Sequence, residues 1–310
     1  MMIYFIVNEA SGGGRARRQW RRLARAMREM GVDFQAWTTH APGEARRLAA
    51  QASHLPGEIV RLVVVGGDGT INEVLNGIED FERVALGVVP LGSGNDFVRG
   101  LALPRRPAEA LERALASDGG VRIDIGQMTV DEHAPRRFVI SAGIGMDAWV
   151  CAHVDESRAK GWLNRFSLGS LAYGFMTLSA VRLLRTGHGM VQIETPHGLL
   201  WRDLDALIFL ACMNFPWEGG GVPIAPGASA RDGFFSVCLA EGLSRRQTLA
   251  RLPLLALGRH AHTRGVILIK ARRVVVRLET PLYVHADGEV PGTARQIGFE
   301  VLPKQLRVLV

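Results

Sequence analysis

Lysine is almost missing from this 310-residue chain, standing only at Lys160, Lys270 and Lys304, so the net charge of +7 rests almost entirely on arginine. The GxxxxGK[ST] sequence is absent, which removes ordinary P-loop enzymes. Cysteine is scarce as well: Cys151, Cys212 and Cys238 are odd in number, far apart and embedded in apolar sequence, which argues for buried free thiols in a reducing compartment. The histidines lack a recognisable metal-ligand spacing apart from the loose pair His260 and His262, so a histidine-based metal centre is not expected. A membrane span needs about 20 predominantly apolar residues. The uncharged run Phe166–Val181 falls short and holds serine and glycine; flanked by Arg158, Lys160, Arg165, Arg182 and Arg185, it reads as a buried helix before an interfacial one. No basic leader precedes the first apolar residues, MMIYFIV, and the expected location is cytoplasmic, with peripheral contact on the inner face of the plasma membrane. What remains is an ordinary globular composition, 47% apolar and 22% charged, at a length that suggests two domains.

Glycine is where the information lies. Leu62–Val65 is a short apolar run that meets Gly66-Gly67-Asp68-Gly69-Thr70 and then a helical pattern to Leu75. Glycines without Cβ let the backbone approach an anion, and the free N–H groups of a helix start point at it. Asp68 beside phosphates implies a divalent cation between them; a plain strand-to-helix turn with Asp68 as N-cap is the competing reading. A second strand pattern, Val84–Pro90, runs into Leu91-Gly92-Ser93-Gly94-Asn95-Asp96-Phe97, which as a bare connector would have Asn95 or Asp96 capping the next helix. A third, Met2–Val7, leads through Asn8–Gly14 into a helix over Arg15–Met30 with Trp20, Leu23, Met27 and Met30 on one side. Repeated strand, glycine loop and helix means α/β architecture with a mostly parallel sheet, whose ligands bind beyond the carboxyl ends of the strands.

Taken in order, Asn8–Gly12, the GGDGT core within Gly66–Gly77, PLGSGNDF at Pro90–Phe97, the GxGxDA pattern of Gly143–Ala148, the GGG, APGA and DG pattern of Gly219–Gly233, and Asp287-Gly288-Glu289 resemble the diacylglycerol kinase catalytic-domain family, which includes bacterial soluble lipid kinases, sphingosine kinases and ceramide kinases. The chain departs from that family at Ser93, where threonine is usual, and after Asn8, where Glu9 replaces a frequent proline. The resemblance implies a Rossmann-like, three-layer α/β domain over residues 1–124, rejoined by 298–310, and an all-β sandwich over 125–297 that takes the lipid, with a cleft between. It implies ATP and Mg²⁺ as cofactors, and a nucleotide site drawn from Asn8, Ser11, Gly12, Thr39, Gly66, Gly67, Asp68, Gly69, Thr70, Asn72, Ser93, Asn95 and Asp96. Asp68, Asp96 and Asp124 would organise catalytic metal. Asp232, with the carbonyls of Ser229 and Phe234, would hold a structural magnesium. Glu289 matches the family's proton acceptor, with Asp287 beside it on one side of an extended strand; on sequence alone, Asp287-Gly288 reads as a hairpin turn.

Runs such as Arg137–Ala142, Met190–Thr195, Leu204–Met213, Phe234–Ala240, Gly265–Ile269 and Arg273–Leu278 are short and β-rich, as a sandwich requires. Gly143–Ala148 also fits GxGxxA, but a β-rich sequence, not a helix, is expected after it, against a dinucleotide fold. NAD kinases share GGDGT without the later motifs. Arg15, Arg17, Arg18, Arg21, Arg22, Arg25 and Arg28 would give the first helix a basic outer face suited to an anionic membrane; no nucleic-acid motif accompanies it. The expectation is a kinase that phosphorylates a primary hydroxyl of diacylglycerol, a sphingoid base or another lipid alcohol, with a homodimer left open and a non-catalytic lipid-binding protein on the same scaffold as the alternative.

Overall fold

A computed structural model describes residues 2–131, 133–158, 179–183, 185–261 and 263–310. Lys160, Trp162, Arg165, His262 and most of the apolar run at 166–181 therefore lie outside the described residues. The chain divides into two compact units, Met1–Ile123 with Lys304–Val310, and Asp124–Pro303.

In the first unit, strands β1 (Ile3–Asn8), β2 (Phe34–Thr39), β3 (Val60–Gly66) and β4 (Val84–Pro90) pair in parallel in the order β4-β3-β1-β2. Central parallel strands are covered on both faces, and that is why β3 and β4 read as unbroken apolar runs. Helices α1 (Arg15–Glu29), α2 (Glu44–Ser53), α3 (Asp68–Gly77), α4 (Asp96–Gly100) and α5 (Pro107–Ala116) complete this unit. Trp20, Leu23, Ala24 and Met27 give α1 a buried stripe against Phe5, Val63 and Val65, while all seven of its arginines are exposed. The chain's last strand, β13 (Glu289–Val308), ends alongside β4, where Arg307 faces Ala85 and Val308 faces Leu86 in parallel.

The second unit is antiparallel throughout its described strand pairs. Strand β9 (Gly198–Met213) pairs through its first half with β8 (Gly187–Thr195) and through its second with β7 (Ser141–Gly145) and β10 (Phe235–Glu241). Strand β12 (Arg273–Ala286) does the same, meeting β8 over residues 273–278 and β7 over 284–286, with a register break between Arg277 and Leu282. Two long strands thus pass from one layer to the other, enclosing a core that includes Phe138, Leu210, Phe235, Val274, Ile297 and Phe299. β5 (Val121–Val130) pairs with β6 (Arg136–Phe138), and β11 (Val266–Ala271) lies beside β10. β9 and β12 are longer than their sequence pattern suggests, and the expected strand at 137–142 is two, β6 and β7. Contrary to expectation, a helix, α6 (Met146–Arg158), begins within the GxGxDA segment. The turn is made at Gly145, whose φ of 110° is open to glycine. Because β7 is antiparallel to both neighbours, the segment is still no dinucleotide βαβ unit. Helix α7 (Arg245–Ala256) opens with a capping box between Ser244 and Gln247.

Candidate active site

The carboxyl ends of β1, β3 and β4 lie at one edge of the parallel sheet, and their three glycine loops meet there through backbone contact. A Cβ built on Gly92 would stand 2.6 Å from the Gly67 Cα, and one on Gly12 2.6 Å from the Leu91 carbonyl oxygen. Only glycine allows these approaches. The Leu91 N–H donates to the Gly66 oxygen (2.8 Å), and Asn8 Nδ2 donates to Thr70 Oγ1 (3.0 Å). Asn95 takes the left-handed conformation (φ 52°) and brackets Gly92, accepting from its N–H and donating to its carbonyl. Thr39, opposite Asn8 in the β1–β2 register, borders the same edge; Ser11 and exposed Ser93 sit in their loops. Asn72 is 1% exposed on the buried side of α3, and its side-chain oxygen accepts from Asn76.

Asp68 caps a helix, but not its own. Its two carboxylate oxygens accept the Asp96 and Phe97 N–H groups (3.1 and 3.2 Å) at the start of α4, while no side chain caps α3. One carboxylate therefore locks two loops together. Asp96 is different: its buried carboxylate is ion-paired with Arg99 at close range, so its charge is already met. Asp124 belongs to the second unit, where its carboxylate accepts the Gly233 N–H (2.8 Å) and its own N–H donates to Ala230 (2.7 Å). These bonds make it an anchor for the 230–233 loop. At the expected structural magnesium, Asp232 accepts the Phe234 N–H (3.1 Å) and pairs with the Lys270 ammonium (2.7 Å), which also donates to the Gly227 carbonyl (3.1 Å). In this arrangement Asp232 already faces a cation of the chain, Lys270, which a divalent ion held with the Ser229 and Phe234 carbonyls would have to displace.

Asp287 and Gly288 both have positive φ (50° and 85°) between the paired residues Ala286 and Glu289, a two-residue hairpin turn of type I′. The extended-strand picture is thereby corrected. Asp287 turns inward, and its carboxylate accepts the N–H groups of Val139 (2.9 Å), Ile140 (2.7 Å) and Ser141 (3.1 Å). Glu289, past the turn, has a side chain 51% exposed, with Arg136 at 3.8 Å.

Behind this turn is a charged cluster that sequence spacing does not reveal. His285, fully buried on β12, places Nε2 3.2 Å from Asp147 Oδ2 and 3.9 Å from Glu218 Oε1. Burial works against its proton, but the facing carboxylates of Glu218, Asp147 and Asp287 raise the imidazole to about 9. Gly288 N–H faces Nδ1 from 3.4 Å, a contact that only the neutral ring accepts. Burial likewise pushes Glu218 up, and pushes the Cys238 thiol up to about 12 and Cys212 well up. The three cysteines are buried free thiols.

Comparison with known proteins accounts for both units. Residues 2–128 match the diacylglycerol kinase catalytic domain, and residues 139–310 match the YegS C-terminal NAD kinase beta sandwich-like domain. YtlR of Bacillus subtilis is 29% identical over 299 residues, covering 94% of each chain. A diacylglycerol kinase of the same organism is 28% identical over 290 residues, covering 93% of this chain and 89% of its own. Among solved structures, a diacylglycerol kinase from Bacillus anthracis superposes with a TM-score of 0.66 at 18% identity, covering 99% of this chain and 96% of its own. An NAD kinase from Archaeoglobus fulgidus, in complex with ATP, has the same fold at a TM-score of 0.54 and 11% identity, covering 100% and 94%. An α/β unit with converging glycine loops, followed by a β-sandwich, thus matches on both halves, and the chain belongs to the diacylglycerol kinase catalytic-domain family: it is a lipid kinase.

Proposed function

We propose that the enzyme transfers the γ-phosphoryl group of ATP to a primary hydroxyl of diacylglycerol or a related lipid alcohol, with Mg²⁺. The observation that carries the nucleotide reading is the glycine-on-glycine contact of Gly67 and Gly92. It brings bare backbone from two loops to the uncapped start of α3, where N–H groups suit phosphate oxygens. Asn8, Gly12, Gly66, Thr70, Ser93 and Asn95 shape the remainder of the cradle. When bound, the divalent ion offsets phosphate charge, and Asp68 is the carboxylate of this chain placed to hold it. Glu289 accepts the hydroxyl proton as the new P–O bond forms; its side chain is half exposed, with Arg136 at 3.8 Å, whereas Asp287 is committed to the backbone. No helix among the described residues is long and apolar enough to cross a membrane, and the exposed arginines of α1 suit contact with an anionic surface.

Incubating the protein with γ-labelled ATP and a panel of lipid alcohols in neutral or anionic vesicles tests this reading. Label should appear on diacylglycerol or a close relative only with Mg²⁺, and faster on anionic vesicles at low salt. ATP turnover with no labelled lipid would overturn the acceptor class; equal rates on neutral vesicles would remove the arginine face.

A further inference from the structure

We propose that His285, seated between Asp147 and Glu218, is a positioning residue for Glu289: a buried imidazole that ties the strand leading into the base-bearing turn to helix α6 and to the 218–222 turn. The proposal rests on the kinase reading above, but its geometry stands by itself. His285 lies two residues before Asp287, opposite Gly143 in the β7–β12 register. Asp147, in the first turn of α6, accepts the Ala148 N–H (2.8 Å) through one oxygen and faces the imidazole through the other. Glu218 is set by a β-bridge to Val222 and reaches the ring from a different segment.

Gly143 shows that the contact is built into the fold. A Cβ there would meet Asp147 Oδ2 at 2.3 Å and His285 Nε2 at 3.0 Å, so the first glycine of the GxGxDA pattern leaves room for the acid–imidazole bond. The bonds of Asp287 to residues 139–141 fix the turn laterally; His285 fixes the strand behind it. The groups facing the ring are Asp147 and Cys151 of α6, Glu218, Ser141 of β7, and Asp287 on its own strand. A ring that carries its proton to about pH 9 remains a cation through the working range, and the long Gly288 contact to Nδ1 becomes a bond only above it.

His285→Gln keeps a donor for Asp147 and removes the charge. We expect kcat to fall roughly 10- to 100-fold, as a displaced base would cause, with the KM for ATP unchanged and the loss of activity above pH 9 abolished. Hydrogen exchange at the amides of residues 286–289 should quicken while the 273–278 part of β12 stays protected. Gly143→Ala, which keeps every charge and wedges a methyl into the contact, should reproduce the fall in kcat. If His285→Gln does not fold, Glu218→Gln should move the alkaline limit of activity to lower pH. Unchanged kcat with unchanged exchange at 286–289, or an alkaline limit that stays put in Glu218→Gln, would overturn the proposal. So would stoichiometric zinc in the purified protein, since ligand atoms of Cys151, Glu218 and His285 lie within 4.8 Å of one another and a metal would then hold the cluster instead of a proton. Should the wild type label no lipid at all, the kinase reading fails, and the exchange data alone still decide the role of His285.

Discussion

A carboxylate that accepts three backbone N–H groups, as that of Asp287 does, has little left to offer a substrate proton, whereas Glu289, two positions on, is half exposed. The same functional group takes two jobs because a left-handed turn lies between them. Asp287→Ala strands three donors and should lower stability by about 3 kcal/mol, seen in calorimetry as a drop in Tm of roughly 6–12 °C; an unchanged Tm would contradict the anchoring role. The sequence shows these carboxylates as a motif but not their partners. Residues 139–141 lie about 147 positions away, and Asp147 is 138 positions from His285, so only the folded backbone pairs them. Asp68 is a similar case: its place in a glycine turn is legible, while its bonds to the neighbouring helix depend on the β3–β4 pairing. Lys270 meets Asp232 from 38 positions away and is hidden for the same reason, whereas Arg99 stands three residues after Asp96 on one helix; each meets an acid whose charge the sequence assigns to metal.

Strands β3 and β4 can be read almost to the residue because a strand buried on both faces must be apolar throughout. β9 and β12 cannot be read to their full length: the first six residues of β9 are exposed without alternation, and the alternating start of β12 is interrupted by exposed Glu279, Thr280 and Pro281. The helix after Gly145 escapes notice because a short apolar run does not distinguish strand from helix. Where the glycine loops touch, the consequence is specific. Gly92→Ala would place a methyl 2.6 Å from the Gly67 Cα and should weaken ATP binding at least tenfold by calorimetric titration, with little change in the second unit; wild-type affinity would show that the loops need not meet. The final strand is also more than a tail. Leu306, Val308 and Leu309 are buried, and the Leu309 N–H donates to Leu86 (2.9 Å). Ending the chain at residue 303 should cost several kcal/mol, at roughly 1.5–3 kcal/mol for each lost apolar side chain. A first unit that melts unchanged without residues 304–310 would contradict that packing.

Protonation adds a condition on the stability of the entire protein. His285 holds its proton to about pH 9 when folded, above the ordinary histidine value near 6.5. Between those values the unfolded chain has lost a proton that the folded chain keeps. The contribution is therefore fully present below about pH 6.5 and fades as pH rises towards 9. Burial raises Glu218 too, which acts in the same direction. Denaturant midpoints should fall from pH 6.5 to 9 in the wild type and stay flatter in His285→Gln; parallel slopes would contradict a buried imidazolium. All of this bears on one chemical event, removal of a proton from a lipid hydroxyl as phosphate arrives. Single-turnover transfer from γ-labelled ATP to diacylglycerol, measured for wild type and Glu289→Gln alongside ATP affinity, reads that event directly. Transfer should fall at least a hundredfold while ATP binds as before, and transfer at the wild-type rate would contradict the account.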